Sequence, residues 1–439
     1  MIKVVKFGGS SLASAEQFAK VGKIIHADKE RRYVVPSAPG KRNSKDTKVT
    51  DMLYACYDLV EKDEDFRVML MKIKDRYDTI INGLNLKLSL EEEFKKISEN
   101  FKNKAGVDYA ASRGEYLNGI IMANYLGYEF VDAAEVIFFD EDGNFMPEKT
   151  DKVLSERLAK TERAVIPGFY GAKEDGTIKT FSRGGSDITG SIVAAGVKAD
   201  LYENFTDVDG IFAAHPGVVH EPHSIPELTY KEMRELAYAG FSVLHDEALL
   251  PAYRGKIPLV IKNTNNPSHP GTRIILEHKG ATVPVVGIAS DDKFVSINMS
   301  KYLMNREVGF GRKVLQILED LNIRWEHMPS GIDDLSIIIR ERELTPIKEQ
   351  EILSYLTREL GVDEVEIEHG LSILMIVGEN MKDHIGVTAT AAKALSEKHI
   401  NLEMISQGSS EVSVMFVIET EQEKAAVRAL YDAFFRSDD

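Results

Sequence analysis

The sequence predicts an α/β protein, a mainly parallel sheet covered on both faces by helices, followed by two copies of a small α+β module. Three observations carry that prediction. Apolar strand-like runs alternate with helical stretches through the first two-thirds of the 439 residues. Two glycine pairs, Gly8-Gly9 and Gly184-Gly185, stand just before patterns that read as helix starts. The last third repeats itself. Gly309-Phe310 and Gly386-Val387 lie 77 residues apart, and the same offset pairs Leu318 with Leu395, Ile323 with Ile400, Gly331 with Gly408 and Ser336 with Ser413.

In chain order, residues 2–7, 33–35, 130–132, 164–167 and 257–261 read as buried strands. Residues 16–29 carry Phe18, Val21, Ile24 and Ile25 at helical spacing. Residues 50–60 read as a helix holding Cys56. Residues 62–103, rich in Glu, Lys and Leu, read as helices forming a projecting pair. A Pro/Asn loop over 263–271 closes the first region, and 277–293 is the expected boundary. Each repeat then shows a glycine before a helix, a step into a strand, a glycine turn and an alternating strand, at 335–339 and 412–418. Residues 294–299 read as a strand that could complete the second module.

Composition narrows the class. Hydrophobic and charged fractions of 43% and 28% are those of a globular protein. No apolar run approaches the ~18 residues of a membrane span, and the first residues read as a core strand rather than a signal peptide. A single cysteine excludes an internal disulfide and fits a reducing cytoplasm; in its helix it reads as a small core residue. The net charge of −16 argues against nucleic acid or an anionic membrane as partner. Any phosphate site must therefore be built locally from glycine turns and a few cations, with Mg²⁺ supplying further positive charge.

Five clusters carry the chemistry. In Val4-Val5-Lys6-Phe7-Gly8-Gly9-Ser10-Ser11, a strand ends at a tight turn and a helix start. Such a turn suits a phosphate, and Lys6 adds a full charge. The spacing is not that of a Walker A loop. In Phe181-Ser182-Arg183-Gly184-Gly185-Ser186-Asp187-Ile188-Thr189-Gly190, Ser186 or Asp187 could cap the following helix and Arg183 offers a planar fork for a carboxylate. Ser112-Arg113-Gly114-Glu115 places a glutamate at an expected helix start, where a carboxylate commonly just favours the dipole. Val34-Val35-Pro36-Ser37-Ala38 puts Ser37 at a strand's carboxyl end, where open α/β sheets bind ligands. It is joined by Lys48-Val49-Thr50-Asp51, in which Thr50 also reads as an N-cap. The fifth cluster is Phe205-Thr206-Asp207-Val208-Asp209-Gly210-Ile211-Phe212. The histidines show no metal-ligand spacing and read as surface residues.

These blocks, in this order, resemble monofunctional aspartate kinases of the amino-acid kinase superfamily, and the repeated modules resemble ACT domains. The resemblance implies a three-layer, mainly parallel amino-acid kinase domain over 1–285. It implies ferredoxin-like ACT domains over 294–372 and 373–439, the latter with strand 294–299 as a possible addition, and no dehydrogenase extension. It also implies ATP and Mg²⁺, with L-aspartate as acceptor. Lys6 and Asp187 would be catalytic, the aspartate orienting the lysine. Ser37, Thr50, Glu115, Arg183 and Ser186 would hold aspartate, Glu115 through its α-ammonium. Lys6, Gly8, Gly9, Ser10, Thr206 and Asp207 would face ATP, with no dedicated protein ligands for the metal. Three positions depart from the pattern: Phe212, where the family commonly carries tyrosine, and His215 and Gly217, where it carries aspartate and arginine; Lys256 is the expected substitute for that arginine.

Met304, Gly309, Phe310, Ser330, Gly331 and Asp333 are the expected effector residues. Asp333 and Asp334 favour lysine over threonine as the inhibitor. Ser406-Gln407-Gly408-Ser409-Ser410 is expected at an interface of a homodimer or dimer of dimers. Two rivals remain at this stage: a kinase of another carboxylate, such as glutamate or acetylglutamate, and a catalytically silent amino-acid sensor.

Overall fold

A computed structural model describes residues 1–182, 184–241, 243–244, 246–280 and 283–436. Contacts divide it into two compact units. One holds residues 1–211, 224–234 and 242–279; the other holds 212–223, 235–241 and 280–439.

The first unit is built on an eight-stranded sheet. Its strands are β1 (Lys3–Phe7), β2 (Arg31–Pro36), β3 (Glu129–Phe130), β4 (Ala164–Val165), β5 (Leu201–Thr206), β6 (Glu227–Thr229), β7 (Leu259–Asn263) and β8 (Thr272–Ile275). Their order in the sheet is β6-β8-β7-β5-β1-β2-β4-β3. From β7 to β3 all neighbours are parallel, whereas β7 and β8 are antiparallel. The buried centre of β1 is apolar on both faces (Val4, Val5 and Phe7), as expected of a parallel strand covered on both sides. Because β5, β1 and β2 run parallel in register, the ends at Thr206, Phe7 and Pro36 lie at one edge. The functional loops leave from that edge.

Among the helices of this unit are α1 (Ala15–His26), α2 (Val49–Glu61), α3 (Arg67–Gly83), α4 (Glu91–Lys102), α5 (Val107–Leu126), α6 (Pro147–Leu158) and α7 (Gly185–Gly196). Two expectations change. Residues 62–103 do form two helices, but they do not project: Ile73, Tyr77, Phe94 and Phe101 share one buried core with Val5, Phe7 and Phe18. At the first glycine pair, the chain forms a 3₁₀ turn over Gly9–Leu12, and α1 begins only at Ala15, capped by the Ser14 side chain.

The second unit carries a six-stranded sheet. Two 14-residue strands, β9 (Gly287–Ser300) and β12 (Glu364–Val377), pair antiparallel at its centre. They are flanked by β10 (Trp325–His327), β11 (Asp334–Arg340), β13 (Met404–Gln407) and β14 (Ser413–Glu419), in the order β10-β11-β9-β12-β14-β13. The duplication is visible in the backbone. Gly309 and Gly386 both adopt left-handed conformations (φ 79° and 97°) as N-caps of the helices Phe310–Asp320 and Val387–Ser396, which glycine reaches without a Cβ penalty.

The register corrects one expectation. Residues 294–300 pair with β11 and with 364–371, inside the first module. Residues 287–291 pair with 373–377 and so complete the second. The strand that crosses between modules begins seven residues before 294, within the stretch read as a boundary.

Candidate active site

Lys6 is the penultimate residue of β1, in register with Asn204 on β5 and Val35 on β2. Its side chain lies on the face covered by α7, where Lys6 Nζ meets Asp187 Oδ1 at 2.5 Å. Both side chains are largely buried, 9% and 14% exposed, so the pair is only weakly screened, and replacing one partner would leave the other as a buried unpaired charge. Asp187 reaches this position in the first turn of α7, whose N-cap is Gly184 with a φ of 65° and no side-chain cap. The expected capping by Ser186 or Asp187 is therefore corrected. Ser186 is instead wedged against Gly168, where a Cβ would come within 2.6 Å of its Oγ.

The first glycine pair serves two purposes. The Gly8 N–H donates to Phe205 O at 3.1 Å, so that amide is already used; the expectation that it faces a phosphate is corrected. The amides of Gly9 and Ser10 have no hydrogen-bond partner among the described residues. Gly9 is required by packing: a Cβ there would lie 2.9 Å from Ala38 O, and one on Gly40 would lie 2.5 Å from the Gly9 carbonyl carbon. Two loops thus cross backbone on backbone, joined by Gly40 N–H donating to Gly9 O at 2.8 Å. The buried Arg76 guanidinium fastens this crossing from α3, donating to Gly40 O at 2.6 Å and pairing with Asp46 at 2.7 Å. The Ser11 and Thr264 hydroxyls, 2.7 Å apart and buried, tie the same turn to the end of β7.

Ser37, just past β2, is held by its backbone: its N–H donates to Phe7 O, and its carbonyl accepts from Asn118 Nδ2 at 2.6 Å. Glu115 lies beside it. The residue is in the middle of the 20-residue helix α5, not at a helix start, so the dipole reading does not apply. Glu115 Oε1 accepts from the Ala38 N–H at 3.0 Å. Its Oε2 is buried without a partner, as is Asn118 Oδ1. Burial pushes the Glu115 carboxyl up to about 8, against the opposing effect of the Ala38 hydrogen bond. Thr50, in the first turn of α2, is within reach of the same spot, since a Cβ on Gly114 would contact Ala38, Leu53 and Thr50. The N-cap of α2 is Lys48, so Thr50 does not serve as the cap. Thr206 closes β5; its hydroxyl donates to Asp207 Oδ1 at 3.2 Å, and its backbone carbonyl accepts from the Thr264 N–H at 2.9 Å. Arg183 lies outside the described residues.

Lys6, Asp187, Gly9, Ser10, Ser37, Glu115, Thr50 and Thr206 therefore lie toward the carboxyl edge of a parallel sheet, a pre-organised arrangement of a paired cation, free amides and a buried carboxyl with one unpartnered oxygen. Residues 1–263 match the model described as the amino acid kinase family, and residues 374–434 match an ACT domain model. The chain belongs to the amino acid kinase family. The kinase is 48% identical over 450 residues to Aspartokinase 3 of Bacillus subtilis (strain 168), covering 99% of each. It is 46% identical to the crystal structure of Clostridium acetobutylicum aspartate kinase, with a TM-score of 0.91 over 99% of this chain and 100% of that one. E. coli aspartokinase III in complex with aspartate and ADP, 24% identical, shares the fold at a TM-score of 0.82. The kinase is an ATP-dependent phosphotransferase of the aspartate kinase type that carries an ACT domain.

Two groups of expected residues are not brought together. Lys256 precedes β7, so it lies at the amino edge of the sheet, in a cleft with Glu227, Arg254 and Arg273. The strand path from Lys256 to Asn263 is about 20 Å, too far for a lysine side chain, so its assignment to ATP is corrected. The expected effector residues divide between the two faces of the second sheet. Met304 and Phe310 are buried in the apolar core with Val295, Ile297 and Met299. Ser330 and Gly331 line a polar cavity of about 370 Å³ with Ser296, Asn298, Asp334, Glu368 and Glu403 on the opposite face. Gly309 caps its helix, and Asp333 O accepts from the Lys301 N–H while its Oδ1 is buried without a partner. Within one chain the six do not line a single pocket.

Asn204, Asn118, Gly40 and Thr264 were not singled out from sequence. The signal for Asn204 was present: an asparagine in an otherwise buried strand demands a polar partner.

Proposed function

We propose that this kinase transfers the γ-phosphate of ATP to the side-chain carboxylate of L-aspartate, giving 4-phospho-L-aspartate. The observation that carries the reading is the Lys6–Asp187 pair set beside the unpartnered Gly9 and Ser10 amides and the unpartnered Glu115 oxygen. In this scheme Glu115 takes the α-ammonium of aspartate, with Ser37, Thr50, Ser186 and Arg183 completing the substrate site. Lys6, Gly9 and Ser10 take the phosphates, and Thr206 and Asp207 lie toward the nucleotide. The aspartate carboxylate is already ionised at neutral pH, so no general base is needed. One carboxylate oxygen forms the new bond to the γ-phosphorus while the β–γ bridging bond breaks and ADP leaves with the electron pair. Lys6 neutralises charge developing on the transferred group.

The donor set fits Mg²⁺ that arrives on the nucleotide. Asp187 is already neutralised by Lys6, and a nucleotide-borne metal needs only one or two protein carboxylates. When bound, Mg²⁺ would spread the negative charge of the β- and γ-phosphates.

The proposal extends to organisation: residues 1–285 as the catalytic domain, with 294–372 and 373–439 as regulatory domains, in a cytoplasmic homodimer or dimer of dimers. Val308 and Ile385, equivalent in the repeat, are 95% and 107% exposed, which supports a subunit contact through these modules. Lysine is favoured over threonine as inhibitor. The polar cavity carries Asp334, Glu368 and Glu403, and burial and the neighbouring Glu403, Glu366 and Glu419 carboxylates raise the Glu368 carboxyl above its ordinary range. A ligand ammonium would relieve that repulsion.

The test is ADP release coupled to a reporter, with aspartate and glutamate side by side and lysine and threonine titrated separately. Aspartate-dependent turnover restrained by lysine is expected. Turnover with glutamate alone overturns the substrate, and inhibition by threonine alone overturns the effector.

A further inference from the structure

The Lys6–Asp187 pair has a third member. Asn204 stands on β5 directly beside Lys6 in the strand register and is 3% exposed. Its Nδ2 donates to Asp187 Oδ1 at 2.8 Å, the same oxygen that meets Lys6, and its Oδ1 accepts from Lys6 Nζ at 3.4 Å. The chemistry fixes this orientation of the amide. A carboxylate can only accept and an ammonium can only donate, so the nitrogen must face Asp187 and the oxygen Lys6.

A buried amide on a core strand is costly unless both ends are satisfied. Here both ends are spent on one charged pair. The neighbouring strand position points the same way: the Tyr202 hydroxyl donates to the Asp187 backbone carbonyl at 3.1 Å. Two residues of β5, spaced to share one face, thus hold the first turn of α7, one by its main chain and one by its carboxylate.

We infer that Asn204 is a positioning residue of the phosphoryl-transfer site, setting the direction of the Lys6 ammonium. An ammonium has three hydrogens. Asp187 takes one and Asn204 another, which leaves the third for the transferred phosphate. Without the amide, the ammonium can rotate on the Asp187 oxygen and the carboxylate loses its second donor. The Asn204 amide is hydrogen-bonded to Lys6 and Asp187 and not to Glu115, so its effect is expected on the chemical step rather than on aspartate binding. The inference rests on the proposed aspartate-phosphorylating reading.

The test is steady-state kinetics of the full-length protein with Asn204→Leu and Asn204→Asp, beside wild type, with thermal melting of each. Leucine is close in shape and apolar, so a residue that only packs would tolerate it. Loss of a charge-assisted hydrogen bond predicts a kcat reduced about ten- to a hundredfold in N204L, with the KM for aspartate within about twofold of wild type. N204D can still accept from Lys6 but cannot donate to Asp187 and adds a second negative charge; its kcat is expected to fall at least as far. If N204L does not fold, N204D alone decides. Wild-type kcat in the folded variants overturns the inference, as does a loss confined to the KM for aspartate. A wild-type protein without aspartate-dependent turnover defeats the functional reading instead, which separates the two failures.

Discussion

Raising the pH from 6 to 8 should tighten aspartate binding about fiftyfold, through Glu115. In the free protein its carboxyl is buried and pushed up to about 8, with Oε2 unpartnered. At pH 7 about nine in ten molecules then carry that proton. An α-ammonium at Oε2 requires the ionised form, so binding must expel the proton. Affinity climbs about one decade per pH unit below 8, or ~1.4 kcal/mol per unit, and levels off above it. Isothermal titration calorimetry at pH 7 in buffers of different ionisation enthalpy should show about 0.9 proton released per aspartate bound. Glu115→Gln keeps the shape without the charge; it should weaken binding about a hundredfold and abolish the proton release.

Stability gives the same group a second readout. The folded pKa lies above the unfolded value of 4.5, so the native state holds the proton more tightly between pH 4.5 and 8. Stability of the free protein is lost as pH rises through that window, and E115Q should melt higher than wild type at pH 8. Heats independent of the buffer, with an affinity flat from pH 6 to 8, would refute the reasoning.

Four other outcomes follow from the geometry. Lys6→Met should lower kcat about a hundred- to a thousandfold in the coupled assay, and it should lower the melting temperature because Asp187 is left as a buried unpaired charge. Gly9→Ala drives a Cβ to 2.9 Å from Ala38 O; it should destabilise the fold by about 1–3 kcal/mol in urea titrations and lower kcat as the crossed loops separate. Glu368→Gln should raise the lysine concentration for half-inhibition severalfold while leaving uninhibited turnover unchanged, since the cavity loses part of its negative wall. Val308→Asp combined with Ile385→Asp should shift the protein toward monomer in sedimentation, because both positions are fully exposed apolar sites of the repeat.

Much of this was legible in the sequence, and the failures have physical causes. The mainly parallel sheet could be read because β1, β2 and β7 each hold a short apolar run: Val4-Val5, Tyr33 to Pro36, and Leu259 to Ile261. β5 was missed as a strand because Glu203 and Asn204 interrupt its pattern. Glu203 is buried against Arg31, with which it makes two hydrogen bonds, and Asn204 is buried against Lys6 and Asp187. Both are polar residues in a core strand that only tertiary partners explain. Glu115 was assigned to the substrate site but placed at a helix start, whereas it lies in the middle of α5, where Gly114 permits close packing against Ala38. Lys256 looked suitable as an isolated cation; only the strand direction shows that it leaves the wrong edge of the sheet. The 77-residue offset revealed the duplication, yet no periodicity could say that the second module borrows residues 287–291 from ahead of the first.

The central claim is that the opening turn and α7 jointly form the phosphate site beside Glu115. A crystal structure with ADP and aspartate bound tests it most directly. The account predicts a phosphate oxygen within about 3 Å of Lys6 Nζ and of the Gly9 or Ser10 amide, and the aspartate ammonium on Glu115. A nucleotide bound away from the turn at Gly9, or an aspartate ammonium that leaves Glu115 Oε2 unpaired, would contradict it.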